Sequence, residues 1–193
     1  MPSARLVLGS ASPRRRELLA SVGIDFEVRV ADVDETPCEG EEPAVLVRRL
    51  AATKLAAVMR ETDAFVLTAD TIVIVDGVVL NKPVDDDEGL SMLARLAGRT
   101  HRVTTAIALG RGGAVLGEDA VTTEVIFGPV ASDDAVRYVA TGEGRDKAGG
   151  YAIQGIAGGF VRSIVGSYSN VVGLPLYETL ALLRAHGAVT RWP

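Results

Sequence analysis

Short apolar runs and helically spaced apolar positions alternate along this chain. The runs at 5–8 and 64–70 have the length of buried strands. The segment 44–60 has apolar residues at intervals of three and four, which is typical of an amphipathic helix. Asp76-Gly77 lies between two further apolar stretches and is a strong β-hairpin signal. This pattern predicts an α/β fold, a mixed twisted sheet with flanking helices and at least one antiparallel portion.

Capping and turn residues mark the ends of the other predicted elements. A helix is expected after Ser12-Pro13, a serine N-cap followed by proline at the first helical position. We expect a helix over 85–96, a helix capped by Ser132 and a terminal helix over 174–186. The predicted strands are 26–30, 64–70 ending in Asp70, 71–75, 78–80, 101–109, 119–127 and 160–165. Residues 142–159 are rich in glycine with interleaved charges, which indicates a long functional loop.

Length and composition limit the classes of protein to which this chain can belong. A chain of 193 residues, 48% of them hydrophobic, fits one domain over 1–193 with a sizeable core. Its net charge of −5 argues against a nucleic-acid partner, although a few arginines in one cleft would still hold a small anion. No window approaches the length of a membrane span. Cys38 is the only cysteine, which suits a reducing cytosol, so we expect a cytoplasmic protein without a membrane partner.

The segment from Gly9 to Arg16 is a candidate anion site. A strand leads into a tight turn, and a helix then begins, so exposed N–H groups and the helix dipole favour an anion there. Ser10 and Ser12 add hydroxyl donors, and the forked guanidinium groups of Arg14 and Arg15 match phosphate oxygens. A capped surface helix with solvated arginines is the alternative. The segment lacks the GxxxxGK[ST] pattern of a Walker loop.

Carboxylates recur at two points downstream of this turn. Glu35 lies in an acidic loop, and Asp70 follows an apolar strand, a favourable position for a cleft residue in α/β folds. Together Glu35 and Asp70 could hold Mg²⁺, a hard cation that takes few protein carboxylates plus phosphate oxygens and water. The alternatives are a solvated acidic loop and a turn residue that caps the backbone.

Lysines and a glycine-rich loop complete the candidates. Lys54, on a helix, and Lys82, after the hairpin, could each neutralise phosphate charge, although an exposed helix lysine is the simpler interpretation of Lys54. Gln154 could pair with a base edge through its amide, unless its loop is merely a flexible surface segment. His101 and His186 are interpreted as structural. Without a partner for Cys38 a cysteine or serine triad is disfavoured.

The order of these clusters resembles the Maf family of nucleotide pyrophosphatases over essentially the whole chain. Any one segment is weak, but seven in register are specific. The matching segments are Gly-Ser-Ala-Ser-Pro-Arg-Arg-Arg-Glu-Leu-Leu at 9–19, Asp-Val-Asp-Glu-Thr at 32–36, Ala-Asp-Thr-Ile-Val at 69–73, Asn-Lys-Pro at 81–83, Gly-Arg-Thr-His-Arg-Val-Thr-Thr at 98–105, Asp-Lys-Ala-Gly-Gly-Tyr-Ala-Ile-Gln-Gly at 146–155 and Gly-Ser-Tyr-Ser-Asn-Val-Val-Gly-Leu-Pro at 166–175.

The resemblance implies a fold similar to the inosine triphosphate pyrophosphatases, with two lobes around a cleft, and a homodimer. It implies hydrolysis of a nucleoside triphosphate to the monophosphate and pyrophosphate with Mg²⁺ or Mn²⁺. Asp70 matches the family's proton acceptor, and Arg14, Thr71 and Gln154 match residues linked to base selection. Ala-Asp-Thr with Ile-Gln-Gly looks like the branch acting on dTTP and UTP rather than 7-methyl-GTP.

These expectations combine into one hypothesis for the site. The phosphates would be bound by Ser10, Arg14, Arg15, Lys54 and Lys82, and Glu35 and Asp70 would hold the metal. Two rival functions stay open. The family resemblance also allows a non-catalytic nucleotide-binding regulator of septum formation. The other rival is a nucleotidyltransferase, which also uses an N-terminal glycine-serine-arginine turn and acidic metal ligands but would need an acceptor substrate.

Overall fold

The computed structural model describes residues 5–193, and its helices and strands alternate along the chain. The strands are β1 Leu6–Leu8, β2 Glu27–Val28, β3 Phe65–Val75, β4 Val78–Leu80, β5 Thr100–Arg111, β6 Ala114–Phe127 and β7 Val161–Val165. The helices are α1 Pro13–Ser21, α2 Pro43–Met59, α3 Asp86–Leu96, α4 Ser132–Ala140, α5 Tyr168–Val172 and α6 Leu176–Ala185. Short 3₁₀ turns occupy Ala148–Gly150 and Ile156–Phe160.

The strands form one seven-stranded mixed sheet in the order β2-β1-β3-β5-β6-β7, with β4 beside β3. β1 is parallel to both neighbours, with Leu8 opposite Val28 in β2 and Leu67 in β3. β4 runs antiparallel to β3, and β7 runs antiparallel to β6. The predicted α/β fold with a mixed sheet and flanking helices is confirmed.

The strand that carries Asp70 differs from its prediction. β3 continues from Phe65 through Asp70 to Val75, so the expected strand end at Asp70 is wrong. The cause is that the β-branched residues after Asp70 pair with β4, where Val75 lies opposite Val78. Asp76 and Gly77 close this hairpin with φ of 50° and 77°, as the dipeptide predicts. Asp70 is therefore fixed from both sides by regular strand.

Smaller differences have local causes. β2 has two residues instead of five, and β5 and β6 are longer than predicted because Gly112 and Gly113 adopt φ of 57° and 81° in a tight turn. Ser132 is the first residue of α4 rather than its cap, and Ala131 occupies the cap position without a side-chain hydrogen bond. The short helix α5 was not predicted.

The chain divides into two compact units, each with its own core. The first contains the described residues up to Asp70 together with Thr105–Val121 and Gly173–Pro193, and the second contains Thr71–Thr104 and Thr122–Val172. Buried leucines of β1, α1, β3, β5 and α6 fill the first core. Apolar residues of β3, α3 and β6 with Tyr138 and Tyr151 fill the second. Within residues 5–193, no helix is long and apolar enough to cross a membrane.

Candidate active site

The turn between β1 and α1 has the structure that its sequence predicts. The Gly9 N–H donates to the Leu67 carbonyl over 2.8 Å, and a Cβ at Gly9 would lie 2.7 Å from Thr68 Cγ2, so only glycine fits without a shift. Ser12 is the N-cap of α1, and its Oγ accepts from the Arg15 N–H at 3.5 Å. Ser10 is buried, and its Oγ accepts from the Ser12 N–H. The helix N-terminus thus follows directly on a serine-rich turn.

Arg15 binds the protein itself at the base of this turn. Its Nη1 donates to the Ala69 carbonyl at 2.7 Å and to Ser10 Oγ at 3.1 Å, and its Nε donates to the Gly173 carbonyl at 2.8 Å. Burial lowers the pKa of Arg15, and the nearby Asp70 carboxylate opposes that shift. A phosphate contact by Nε or Nη1 would require these bonds to break. Arg15 therefore ties α1 to the residue directly before Asp70, while its predicted phosphate role stays a prediction.

Lys54, Asp70 and Glu35 meet around a single ammonium group. Lys54 Nζ lies 2.5 Å from Asp70 Oδ1 and 2.7 Å from Glu35 Oε1. The side chains of Lys54 and Asp70 are 15% and 11% exposed, whereas that of Glu35 is 50% exposed. The interpretation of Lys54 as an exposed helix lysine is wrong. Both predicted carboxylates share one cationic partner, held by α2 between β3 and the acidic loop.

The donor chemistry of this triad fits a divalent metal. Glu35 and Asp70 both place a hard carboxylate oxygen beside Lys54 Nζ, and a divalent metal bound by the two carboxylates would compete with that ammonium group for them. Among residues 5–193, no group of three or more His, Cys, Asp or Glu side chains forms a metal site by itself. Mg²⁺ or Mn²⁺ here would draw its remaining ligands from phosphate and water, as Mg²⁺ commonly does. The metal stays a prediction.

The acidic loop that carries Glu35 is tied to α2 by a second charged pair. Arg49 donates to both carboxylate oxygens of Glu41, at 2.6 and 2.7 Å, and to the Thr36 carbonyl at 3.1 Å. Glu41 also accepts from the Cys38 N–H at 3.0 Å. Hydrogen bonding from Arg49 lowers the pKa of Glu41 to about 2. This Arg49–Glu41 pair holds the loop on the helix that also carries Lys54.

The predicted residues of the second unit lie on β3, after β4 and in the glycine-rich loop. Thr71 is partly buried on β3, and Lys82 and Gln154 are exposed. The Gly149 N–H donates to the Asn81 carbonyl at 3.0 Å, which holds the loop against the segment of Lys82. Asn81 makes this contact through its backbone, so the interaction does not depend on the side chain at that position.

A buried aromatic cluster anchors the same loop. The hydroxyl of Tyr151 lies 2.7 Å from His101 Nε2, and both rings meet Phe127 edge to face. His101 is 1% exposed, and burial lowers its pKa to about 4. The structural interpretation of His101 agrees with this packing, and the interpretation of the loop as flexible does not.

The sequence pattern of the family described as Maf-like protein matches residues 5–186. This chain belongs to the Maf family. Among its relatives is a protein of Anaeromyxobacter dehalogenans strain 2CP-1, 49% identical over 191 residues and 97% of each chain. Another is from Symbiobacterium thermophilum, 50% identical over 95% of this chain and 94% of the relative. A third, from Geobacter sulfurreducens, is 46% identical over 98% of this chain and 100% of the relative. All three are named dTTP/UTP pyrophosphatase.

Solved structures with a weaker likeness include the Ham1 protein of Staphylococcus aureus. It is 15% identical to this chain, covers 64% of it and 71% of its own length, and gives a TM-score of 0.48.

The predicted residues fall into two groups, one in each compact unit of the chain. Those in the first unit are Ser10, Arg14, Arg15, Glu35, Lys54 and Asp70, and those in the second are Thr71, Lys82 and Gln154. Their individual roles stay predictions, as do the single domain, the homodimer and the cytoplasmic location.

Several residues that restrain the two loops are not predicted from the sequence. Arg49 and Glu41 hold the acidic loop, and Tyr151 with His101 holds the glycine-rich loop. A basic residue on the helix that follows an acidic loop is a weak signal for the first pair. The sequence predicts only a structural role for His101, because no local pattern indicates contact between a histidine and a tyrosine that are fifty positions apart.

Proposed function

We propose that this chain hydrolyses dTTP and UTP to the nucleoside monophosphate and pyrophosphate. The observation that carries the proposal is the Asp70 carboxylate, nearly buried in the middle of β3 and paired with Lys54 beside Glu35. The relatives named dTTP/UTP pyrophosphatase support the same activity, which the family resemblance implies. These names do not favour the rival regulator of septum formation.

In this proposal, Asp70 and Lys54 orient and deprotonate the attacking water. Water attacks the α-phosphorus, a new P–O bond forms, and the bond from the α-phosphorus to the bridging oxygen breaks, so that pyrophosphate leaves. Asp70 accepts the proton of the attacking water, and Lys54 neutralises charge next to it. Bound at Glu35 and Asp70, Mg²⁺ or Mn²⁺ would supply further charge neutralisation and lower the pKa of the water. In phosphoryl transfer, positioning and electrostatics provide most of the acceleration.

The pairing of dTTP with UTP in the relatives' names fits recognition of one base edge. Thymine and uracil share two carbonyl oxygens flanking an N–H, whereas cytosine presents an amino group in place of one carbonyl. The amide of Gln154 has both a donor and an acceptor for such an edge. Arg14 and Thr71 are the other proposed contributors. A site built on hydrogen bonds rejects a mismatched edge because its own polar groups are left unpaired.

A substrate panel with product identification tests the proposal. We expect the wild-type chain, at catalytic concentration with Mg²⁺ or Mn²⁺, to release pyrophosphate and the monophosphate from dTTP and UTP faster than from CTP or 7-methyl-GTP. Asp70→Asn should keep the fold and lose about 10²–10⁴-fold in turnover, the usual effect of removing a general base.

Asp63→Asn is the matched control, because Asp63 is an exposed turn residue shortly before the same strand, and it should retain activity. Nucleotide binding without turnover would favour the regulator, and transfer to an acceptor without hydrolysis would favour a nucleotidyltransferase. Near-full activity of Asp70→Asn with saturating metal would refute the role of Asp70.

A further inference from the structure

Glu143 binds the backbone immediately after the turn that carries Gln154. Its Oε2 accepts from the Ile156 N–H at 2.8 Å, and its Oε1 accepts from the Ala157 N–H at 3.2 Å. These are the first two amides of the 3₁₀ turn Ile156–Phe160. A carboxylate that accepts two backbone N–H groups makes stronger bonds than a neutral acceptor, because the interaction is charge-assisted.

Gly155 makes this approach sterically possible. A Cβ at this position would lie 2.3 Å from Glu143 Oε2 and 2.7 Å from Oε1, closer than any side chain tolerates. The glycine between Gln154 and Ile156 therefore leaves the space that the Glu143 carboxylate occupies, and a side chain there would displace that carboxylate. The hydrogen bonds and the close approach to Gly155 both follow from the position of the Glu143 carboxylate against this turn.

Glu143 is itself held in place. Its N–H donates to Thr141 Oγ1 at 3.2 Å, and its carbonyl accepts from Lys147 Nζ at 2.5 Å. Burial first and the Glu143 carboxylate second raise the pKa of the nearby Tyr138. The anchor is thus tied to the end of α4 and to the loop itself.

The other side of the turn is fixed by Tyr151. Tyr151 lies three residues before Gln154 and is 5% exposed. Its hydroxyl reaches His101 on β5. Gln154 is exposed between these two anchors. An exposed side chain on a turn restrained at both ends is pre-ordered for a ligand, so less conformational entropy is lost on binding.

We propose that Glu143 is a positioning residue for Gln154, and that its carboxylate sets how strictly the enzyme selects uracil and thymine over cytosine. This inference rests on the proposed function and on the predicted role of Gln154 in base selection. Glu143 acts through the backbone of the turn and does not contact the nucleotide.

The first arm of the test is kinetic and compares Glu143→Ala and Glu143→Gln with wild type on UTP, dTTP and CTP. In Glu143→Ala we expect KM for UTP and dTTP to rise about ten- to hundredfold with kcat changed far less, because a misplaced contact weakens binding of the correct base. The preference for UTP over CTP in kcat/KM should fall by about tenfold or more. Glu143→Gln retains one acceptor oxygen and should recover part of both.

Glu118→Ala, at an exposed glutamate of β6, is the control and should behave as wild type. If Glu143 served stability alone, kcat/KM would fall by one common factor for all three nucleotides and the UTP to CTP ratio would hold. That result would overturn the proposal. Should Glu143→Ala fail to fold, the same ratio in Glu143→Gln decides the question.

The second arm is hydrogen exchange on the peptide covering 152–160, and it does not depend on activity. Loss of the carboxylate should speed exchange at Ile156 and Ala157, and unchanged protection would refute the anchor. A wild-type protein that turns over no nucleotide would refute the proposed function while exchange still reported on the anchor. The two failures are therefore distinguishable.

Discussion

Two loops carry predicted site residues, and in both a glutamate accepts backbone N–H groups, whereas the further partners that restrain the loops differ. The acidic loop over 32–42 presents Glu35 from the first unit, and the glycine-rich loop over 142–159 presents Gln154 from the second. A charged pair with an arginine of α2 holds the acidic loop. The glycine-rich loop is held by hydrogen bonds to its own backbone and by a buried tyrosine–histidine contact.

This difference reflects what each loop has to present. Glu35 is 50% exposed, so its carboxylate keeps access to cations in solvent. In the Arg49–Glu41 pair the arginine side chain is 31% exposed and the glutamate side chain 6% exposed, so dissolved salt screens the pair from the side of the arginine. A residue that selects a base needs fixed geometry, which buried and sterically closed contacts supply. We therefore expect the acidic loop to respond to ionic strength and the glycine-rich loop to respond to pH and to added methyl groups.

The largest expected effect on the glycine-rich loop comes from His101 and pH. Its folded-state pKa of about 4 lies below the ordinary value of 6.5, so between these pH values the unfolded chain binds the proton more readily. The free energy of unfolding should therefore fall as the pH decreases from 6.5 to about 4, with about 3 kcal/mol from this residue at most. Denaturant unfolding across this range measures it.

His101→Gln keeps a hydrogen-bonding partner for Tyr151 without a titrating group, so its stability should depend less on pH in this window. The control is His186→Gln, at the other histidine of the chain, which is exposed and should leave the profile unchanged. An identical slope in wild type and His101→Gln would show that other groups govern the acid loss.

Added methyl groups provide the next largest effect. Gly149 has φ of 74°, and a Cβ there would lie 3.0 to 3.2 Å from the side chain of Val73. Gly149→Ala should lower the free energy of unfolding by about 1–3 kcal/mol, the usual cost of a non-glycine residue in this conformation. Crowding against Val73 adds to that cost. Thermal or urea unfolding measures the change.

Gly112 offers a matched control in the β5–β6 turn. Its φ is 57°, and a Cβ there would meet nothing within 4 Å, so Gly112→Ala pays only for the backbone conformation. The difference between the two variants isolates the packing of the loop on Val73. Equal losses would mean that the loop moves away from Val73 at no cost.

Local sequence signals predicted the residues that define strands, caps and turns. Ser12-Pro13 begins α1 and Asp76-Gly77 closes a hairpin, as each dipeptide favours. The sequence predicts a strand end at Asp70, because a carboxylate after an apolar run is typical of a strand end. Pairing with β4, which is a contact within the sheet, carries the strand onward.

Contacts distant in sequence account for what the sequence did not predict. Lys54 meets Asp70 across sixteen positions, and Glu143 meets Ile156 across thirteen. Periodicity reports which face of an element is apolar but not which polar side chains converge. The order of motifs in the sequence indicates the family. The residues that restrain each loop are found only from the structure, because their partners are distant in sequence.

The smallest expected effect concerns the Arg49–Glu41 pair. Arg49→Met keeps much of the apolar length of the side chain and removes the charge that ties the acidic loop to α2. Because the pair lies near the surface, we expect the metal concentration for half-maximal activity to rise by about fivefold or less. Sodium chloride should weaken metal activation of the wild type more than that of Arg49→Met, since screening acts on a pair that the variant lacks.

Arg48→Met, at the exposed neighbouring position, is the control. If both variants shift the metal requirement equally, overall charge rather than the Arg49–Glu41 pair sets it, and the acidic loop is restrained by other contacts.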